Sequence, residues 1–91
     1  MTRLIVYSRS YCHLCDDMIE ALRRLRAGHD FELSVVDVDA DEALVARYDE
    51  LVPVLVGIRP DGVPQQLCHY FLDVEGVESF LRDDDSRRIP G

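Results

Sequence analysis

The sequence predicts an α/β domain: a four-stranded mixed sheet flanked by three helices, in the order β-α-β-α-β-β-α. Three observations carry that prediction. The apolar run Leu4-Ile5-Val6-Tyr7 gives way to a helical stripe, Met18, Ile19, Leu22 and Leu25, and then to a second extended run from Phe31 to Val38, which together make a βαβ unit. A turn signal, Arg59-Pro60-Asp61-Gly62, joins two later runs of strand character. Between the first strand and the first helix lie two cysteines, Cys12 and Cys15, separated by two residues.

Each element has a local reason. Leu4 to Tyr7 is continuously apolar, as a strand covered on both faces should be. Ser8 to Tyr11 reads as a loop, with Ser10 the expected N-cap of the first helix. Asp16 and Asp17 fall in that helix's first turn and Arg23, Arg24 and Arg26 near its end, the placement its dipole favours. Gly28 is the expected stop. The βαβ unit makes the first two strands parallel.

Asp39, followed three residues later by Glu42, is the expected capping pair of a second helix that turns Leu44, Val45 and Tyr48 inward. Val52 to Ile58 is the third strand, with Pro53 near its start, where a strand tolerates one. The tight turn makes the fourth strand, around Gln65 to Tyr70, antiparallel to it. Asp73 is placed to cap a last helix holding Val74, Val77, Phe80 and Leu81. The domain is expected to span residues 1–82, and 83–91 to form a charged tail.

Composition narrows the function. Ninety-one residues make one small domain, 47% hydrophobic and without tryptophan, so the core is mostly aliphatic. The net charge of -8 argues against nucleic acid and anionic membranes as partners. All ten basic residues are arginine, which rules out lysine chemistry. No apolar segment is long enough to span a membrane, and the N-terminus lacks the pattern of a signal peptide. The expected location is therefore the cytoplasm, where thiols are kept reduced.

Three cysteines divide naturally into the close pair and a separate Cys68, which reads as a buried strand thiol. Positions i and i+3 at a helix start meet the Cα separation a disulfide needs. Cys12 sits beside the unpaired N–H groups of the helix end, which favour its thiolate, so Cys12 is the expected nucleophile and Cys15 the resolving thiol. His13, if protonated, and Arg9 act in the same direction, whereas Asp16 and Asp17 oppose them. Tyr11, beside Cys12, is a candidate for the substrate groove or for packing. A metal- or iron–sulfur-binding module using Cys12 with other ligands is the alternative. It is disfavoured because Cys68 and His69, as strand neighbours, point to opposite faces. A folded interaction domain with an idle cysteine pair is a third reading.

The run Val6 to Cys15, with its Cys12-His13-Leu14-Cys15 centre, and Leu51-Val52-Pro53-Val54 further on resemble the glutaredoxin-like proteins of the thioredoxin superfamily, over Leu4 to about Leu81. The resemblance implies a thioredoxin fold and dithiol–disulfide exchange without a required metal or organic cofactor. It implies a disulfide-containing protein or glutathione disulfide as substrate, with glutathione or a reductase as electron source. It places Val52-Pro53 on a cis-proline loop whose backbone pairs with bound substrate. Arg9, three residues before Cys12, matches a basic residue of the family, and Asp73 matches an acidic one. Tyr11, His13 and Leu14 complete the expected substrate-contacting set. The family has Pro-Tyr between its cysteines and a Gly-Gly pair before the last helix. This chain has His13-Leu14 and the bulky stretch Tyr70-Phe71-Leu72 instead.

Overall fold

The computed structural model describes residues 2–88. Strand β1 (Thr2–Ser8) leads to helix α1 (His13–Leu25), strand β2 (Phe31–Asp37), a single 3₁₀ turn (Val38–Ala40) and helix α2 (Glu42–Tyr48). Strands β3 (Val54–Ile58) and β4 (Pro64–His69) and helix α3 (Val74–Arg88) follow. The sheet order is β2-β1-β3-β4, with β1 parallel to β2 and antiparallel to β3, and β3 antiparallel to β4. The expected mixed sheet and its three helices are therefore present.

Strand periodicity sorts the side chains into two cores. Leu4 and Val6 of β1 and Leu55 of β3 meet Met18 and Leu22 of α1 and Val77, Phe80 and Leu81 of α3. On the opposite face Val54 and Val56 meet Val38 and Tyr48, with Tyr7, Leu44 and Val52 packed at the margin. Two helices thus cover one face of the sheet and α2 the other. The ring of Tyr7 stacks on that of Tyr48 with centroids 4.6 Å apart. Gly57 lets α3 approach β3, because a Cβ there would lie 2.6 Å from the Phe80 ring.

Several caps differ from expectation. The N-cap of α1 is Cys12 rather than Ser10: Cys12 has extended backbone, and its Sγ accepts a hydrogen bond from the Cys15 N–H at 3.2 Å. Helix α1 ends at Leu25, and the chain leaves through turns in which Ala27 N–H donates to Arg24 and Gly28 N–H to Leu25, so Gly28 is not a left-handed stop. Helix α2 is capped by Asp41, whose Oδ1 accepts from Ala43 N–H at 2.9 Å, while Asp37 caps the 3₁₀ turn and Asp39 binds Arg9. Strand β2 correspondingly stops at Asp37, one residue short of the expected Val38.

The hairpin turn forms as read: Gly62 N–H donates to Arg59 at 2.8 Å, and Gly62 takes the positive φ of 87°. Asp73 does cap α3, its Oδ1 accepting from Gly76 N–H at 3.1 Å. Helix α3 runs past Arg82 to Arg88, so the stretch read as a charged tail continues the helix, and 89–91 lie outside the described residues.

Candidate active site

Strand β1 ends at Ser8 between Asp37 of β2 and the entry to β3, where Tyr7 is paired with Val54. The register therefore brings the Ser8–Cys12 loop and the Val52–Pro53 loop to the same end of the sheet. Cys12 and Cys15 form a disulfide there, with Cα atoms 5.2 Å apart. Their environments differ. Cys15 is buried at 1% exposure, one turn into α1, whereas Cys12 is half-buried at the helix start. The Cys15 amide aimed at Cys12 Sγ is one of the orphan donors of the helix end, and it favours negative charge on that sulfur.

The other expected site residues divide. Leu14 is exposed on the rim of an open groove whose far side is Tyr70, Phe71 and Leu72 and whose floor includes Met18. His13 is exposed beside the cysteines. Tyr11 has a left-handed backbone, φ 58°, and its side chain stands fully in solvent, so it does not pack on the fold. Pro53 is buried, the Val52–Pro53 peptide is cis, and the Pro53 carbonyl accepts from Tyr70 N–H at 2.9 Å. Val52 is half-buried, and its N–H donates to the Tyr48 carbonyl at 3.1 Å. Asp73 turns its carboxylate to the start of α3, where Oδ1 accepts from Gly76 N–H at 3.1 Å.

Arg9 departs most from expectation. Its guanidinium lies between two carboxylates, 2.8 Å from Asp39 Oδ1 and also hydrogen-bonded to Asp49. The Asp39 hydrogen bond, with the charges of both acids, raises its pKa further. Its positive charge is thus answered within the protein. Cys68 is half-buried, and burial pushes its thiol up from the ordinary 9.0, helped by the Asp73 charge and opposed by a hydrogen bond from the Asp73 backbone. His29, in the loop after α1, lies 3.1 Å from Glu78 of α3. Among the described residues no group of three or more His, Cys, Asp or Glu side chains is arranged to hold a metal ion.

The residues that sequence reasoning did not assign to the site are Tyr70 and Phe71. Tyr70 is a non-glycine residue at φ 63°, pinned by its N–H to Pro53 and by its hydroxyl to the Glu50 carbonyl at 2.5 Å. Phe71 N–H donates to His69 at 2.7 Å in a three-residue turn, and its ring is left 70% exposed. The signal was the continuous apolar run Tyr70-Phe71-Leu72, which breaks the alternation of a strand just before the cap Asp73.

A parallel βαβ unit, an antiparallel hairpin, and a cysteine pair at the β1–α1 junction define a thioredoxin fold. The comparisons agree. The family model described as Glutaredoxin-like domain (DUF836) matches residues 3–82, and the chain belongs to that family. It is similar to the solution structure of protein Ne2328 from Nitrosomonas europaea, at 41% identity over 88% of this chain and 91% of that one, with a TM-score of 0.77. It is also similar to the crystal structure of protein XcR50 from X. campestris, at 35% identity over 88% and 96% of the two chains and a TM-score of 0.62. The fold is shared with oxidised mitochondrial thioredoxin 3 from Saccharomyces cerevisiae, at 19% identity over 90% and 77% of the chains and a TM-score of 0.67. No curated protein matches the chain.

Proposed function

We propose that this protein is a thiol–disulfide oxidoreductase working through Cys12 and Cys15. The observation that carries the reading is the unequal pair: two cysteines within bonding reach, the first half-buried at a helix N-terminus and the second buried behind it. In the reduced protein the Cys12 thiolate attacks one sulfur of a substrate disulfide. A bond forms to that sulfur, and the other leaves as a thiolate that takes a proton from water. Cys15 loses its proton to solvent and attacks Cys12, releasing the second substrate sulfur and closing the Cys12–Cys15 disulfide. Two electrons pass to the substrate. A thiol reductant, glutathione or a reductase, returns them, and no metal or organic cofactor enters the exchange.

The surrounding groups support this assignment. The Cys15 amide steadies charge on Cys12 both as attacking thiolate and as the group released on resolution. A substrate backbone laid beside the Val52–Pro53 loop would pair through the Val52 carbonyl, since its N–H is given to Tyr48. No helix among the described residues is long and apolar enough to cross a membrane, and the acidic charge fits a protein working in the cytoplasm on other soluble molecules.

The test is Cys15→Ser. With a substrate disulfide in excess, the variant should accumulate a mixed disulfide on Cys12, read by intact mass and peptide mapping. The parent should pass directly to its internal disulfide, and Cys12→Ser should form neither. Absence of any Cys12 adduct in Cys15→Ser would remove the proposal.

A further inference from the structure

The groove beside the cysteine pair is apolar, yet it opens on a strongly acidic protein. Leu14, between the two cysteines, forms one wall, and Tyr70, Phe71 and Leu72 of the β4–α3 loop form the other. The wall is held in place. Tyr70 keeps a left-handed backbone that few side chains adopt, fastened by its hydrogen bonds to Pro53 and Glu50. The turn that follows lifts Phe71 into solvent at 70% exposure, with Val74 at 43% on the first turn of α3. A loop constrained in this way presents apolar surface instead of burying it.

The one charged residue in the groove's lining is acidic. Asp17 lies there, and Asp73 and Glu75 stand at the start of α3, just beyond the Tyr70–Leu72 wall. Arg9, the basic residue nearest the pair in sequence, is neutralised by Asp39 and Asp49. An anionic ligand therefore meets acids and a cation already paired. A cationic, partly apolar segment meets complementary charge and a preformed seat.

We infer that the partner of this centre is a protein disulfide whose reacting cysteine is flanked by an aromatic or large aliphatic residue and by arginine or lysine, with the apolar side chain seated in the Leu14–Phe71 groove, in preference to glutathione disulfide. The inference rests on the thiol–disulfide reading above and names its substrate class. Phe71 and Leu14 act as specificity-determining residues. The exchange is the balanced one already written, and a single turnover from the reduced protein needs no added reductant.

The experiment measures single-turnover oxidation of the reduced protein by acid quench, alkylation and mass spectrometry. The probes are bis(2-hydroxyethyl) disulfide, glutathione disulfide, and three cysteine peptides carrying one common leaving thiol: Phe with Arg, Ser with Arg, and Phe with Glu. The Phe/Arg peptide should react on the order of tenfold faster than the Ser/Arg peptide, the scale of burying part of one aromatic side chain. It should also outpace the Phe/Glu peptide and glutathione disulfide, and the charge preference should shrink as salt is added. Phe71→Ser should bring the Phe/Ser rate ratio close to unity. A parent ratio near unity, a ratio unmoved by Phe71→Ser, or faster reaction with glutathione disulfide would overturn the inference. The hydroxyethyl disulfide separates the two failures. If it oxidises the pair and the peptides show no preference, only the substrate class falls. If it leaves both thiols reduced, the oxidoreductase reading falls as well.

Discussion

Gly57→Ala tests how the last helix is seated on the sheet. Gly57 lies in β3, paired with Leu4 on one side and Gln65 on the other, so its backbone cannot move without disturbing two ladders. A Cβ built there lies 2.6 Å from Cε1 and Cζ of Phe80 and 3.1 Å from Cδ1. Carbon atoms settle at about 3.5–4.0 Å, so the ring must retreat by roughly 1 Å. It packs in the cluster holding Leu4, Leu55, Val77 and Leu81 and also lines a pocket with Gln65, Gly76 and Ser79, so a retreat strains the cluster contacts while the pocket leaves some room. Overpacking of this kind costs about 1–3 kcal/mol, and the lower chain entropy of alanine in the unfolded state offsets about 0.4–1 kcal/mol. A net loss centred on about 1.3 kcal/mol and at most about 2.6 kcal/mol follows, and the central value is a fall in Tm of about 5–10 °C for a domain this size. Urea titration and thermal melting of the oxidised protein, followed by far-UV circular dichroism, measure it. The cause is checked with Phe80→Leu, which removes the obstructing ring: the double variant should be more stable than the summed single losses by at least about 0.5 kcal/mol. A Gly57→Ala protein as stable as the parent, or strictly additive losses, would refute the steric account.

Two further predictions concern protons and caps. Burial raises the Cys68 thiol above its ordinary 9.0 and the Tyr7 hydroxyl above its ordinary 10.0. The unfolded chain therefore ionises first, so the stability contributed by each neutral group is complete below its ordinary value and is lost as pH rises through its raised, folded one. Urea midpoints should fall with alkalinity from about pH 9, and Cys68→Ala should flatten the first part of that fall while leaving the part due to Tyr7; parallel curves would contradict the assignment to Cys68. Asp73→Ala removes the acceptor that Gly76 N–H uses at the start of α3 and should cost about 1 kcal/mol, with Asp73→Asn retaining most of it; an unchanged melting midpoint in the alanine variant would show that the cap contributes nothing.

Much of the fold was legible because its signals are local. The continuous apolar run Leu4 to Tyr7 marks a strand covered on both faces, the stripe of Met18 and Leu22 follows from the helical period, and the antiparallel β3–β4 pair follows from a turn with Pro60 and Gly62 in the positions such turns need. The antiparallel pairing of β1 with β3 was not legible: no short connection joins them, and strand neighbours of that kind are chosen by packing across the sheet. Caps were misplaced by a residue or two for a related reason. Asp37, Asp39 and Asp41 are chemically equivalent candidates, and their roles are settled by Arg9, which arrives from a loop thirty positions away and takes Asp39.

The site divides along the same line. Cys12 and Cys15 announce themselves through spacing and placement, but the availability of the charges around them does not. Arg9 reads as a free cation in sequence and is answered in the structure by two acids, both distant along the chain. Tyr70 is equally silent: a left-handed backbone is signalled by glycine or asparagine, and here a tyrosine holds it through hydrogen bonds to Pro53 and Glu50. Those bonds tie the proline loop to the wall of the groove, while Leu14 ties the opposite wall to the cysteine pair. The thiols, the Val52–Pro53 backbone and the apolar groove are therefore one connected unit, held by contacts between β3, the β4–α3 loop and the start of α1. A substitution that frees Tyr70 from Pro53 or Glu50 would act on substrate choice before it acted on thiol chemistry, because the donor that serves Cys12 belongs to α1 alone.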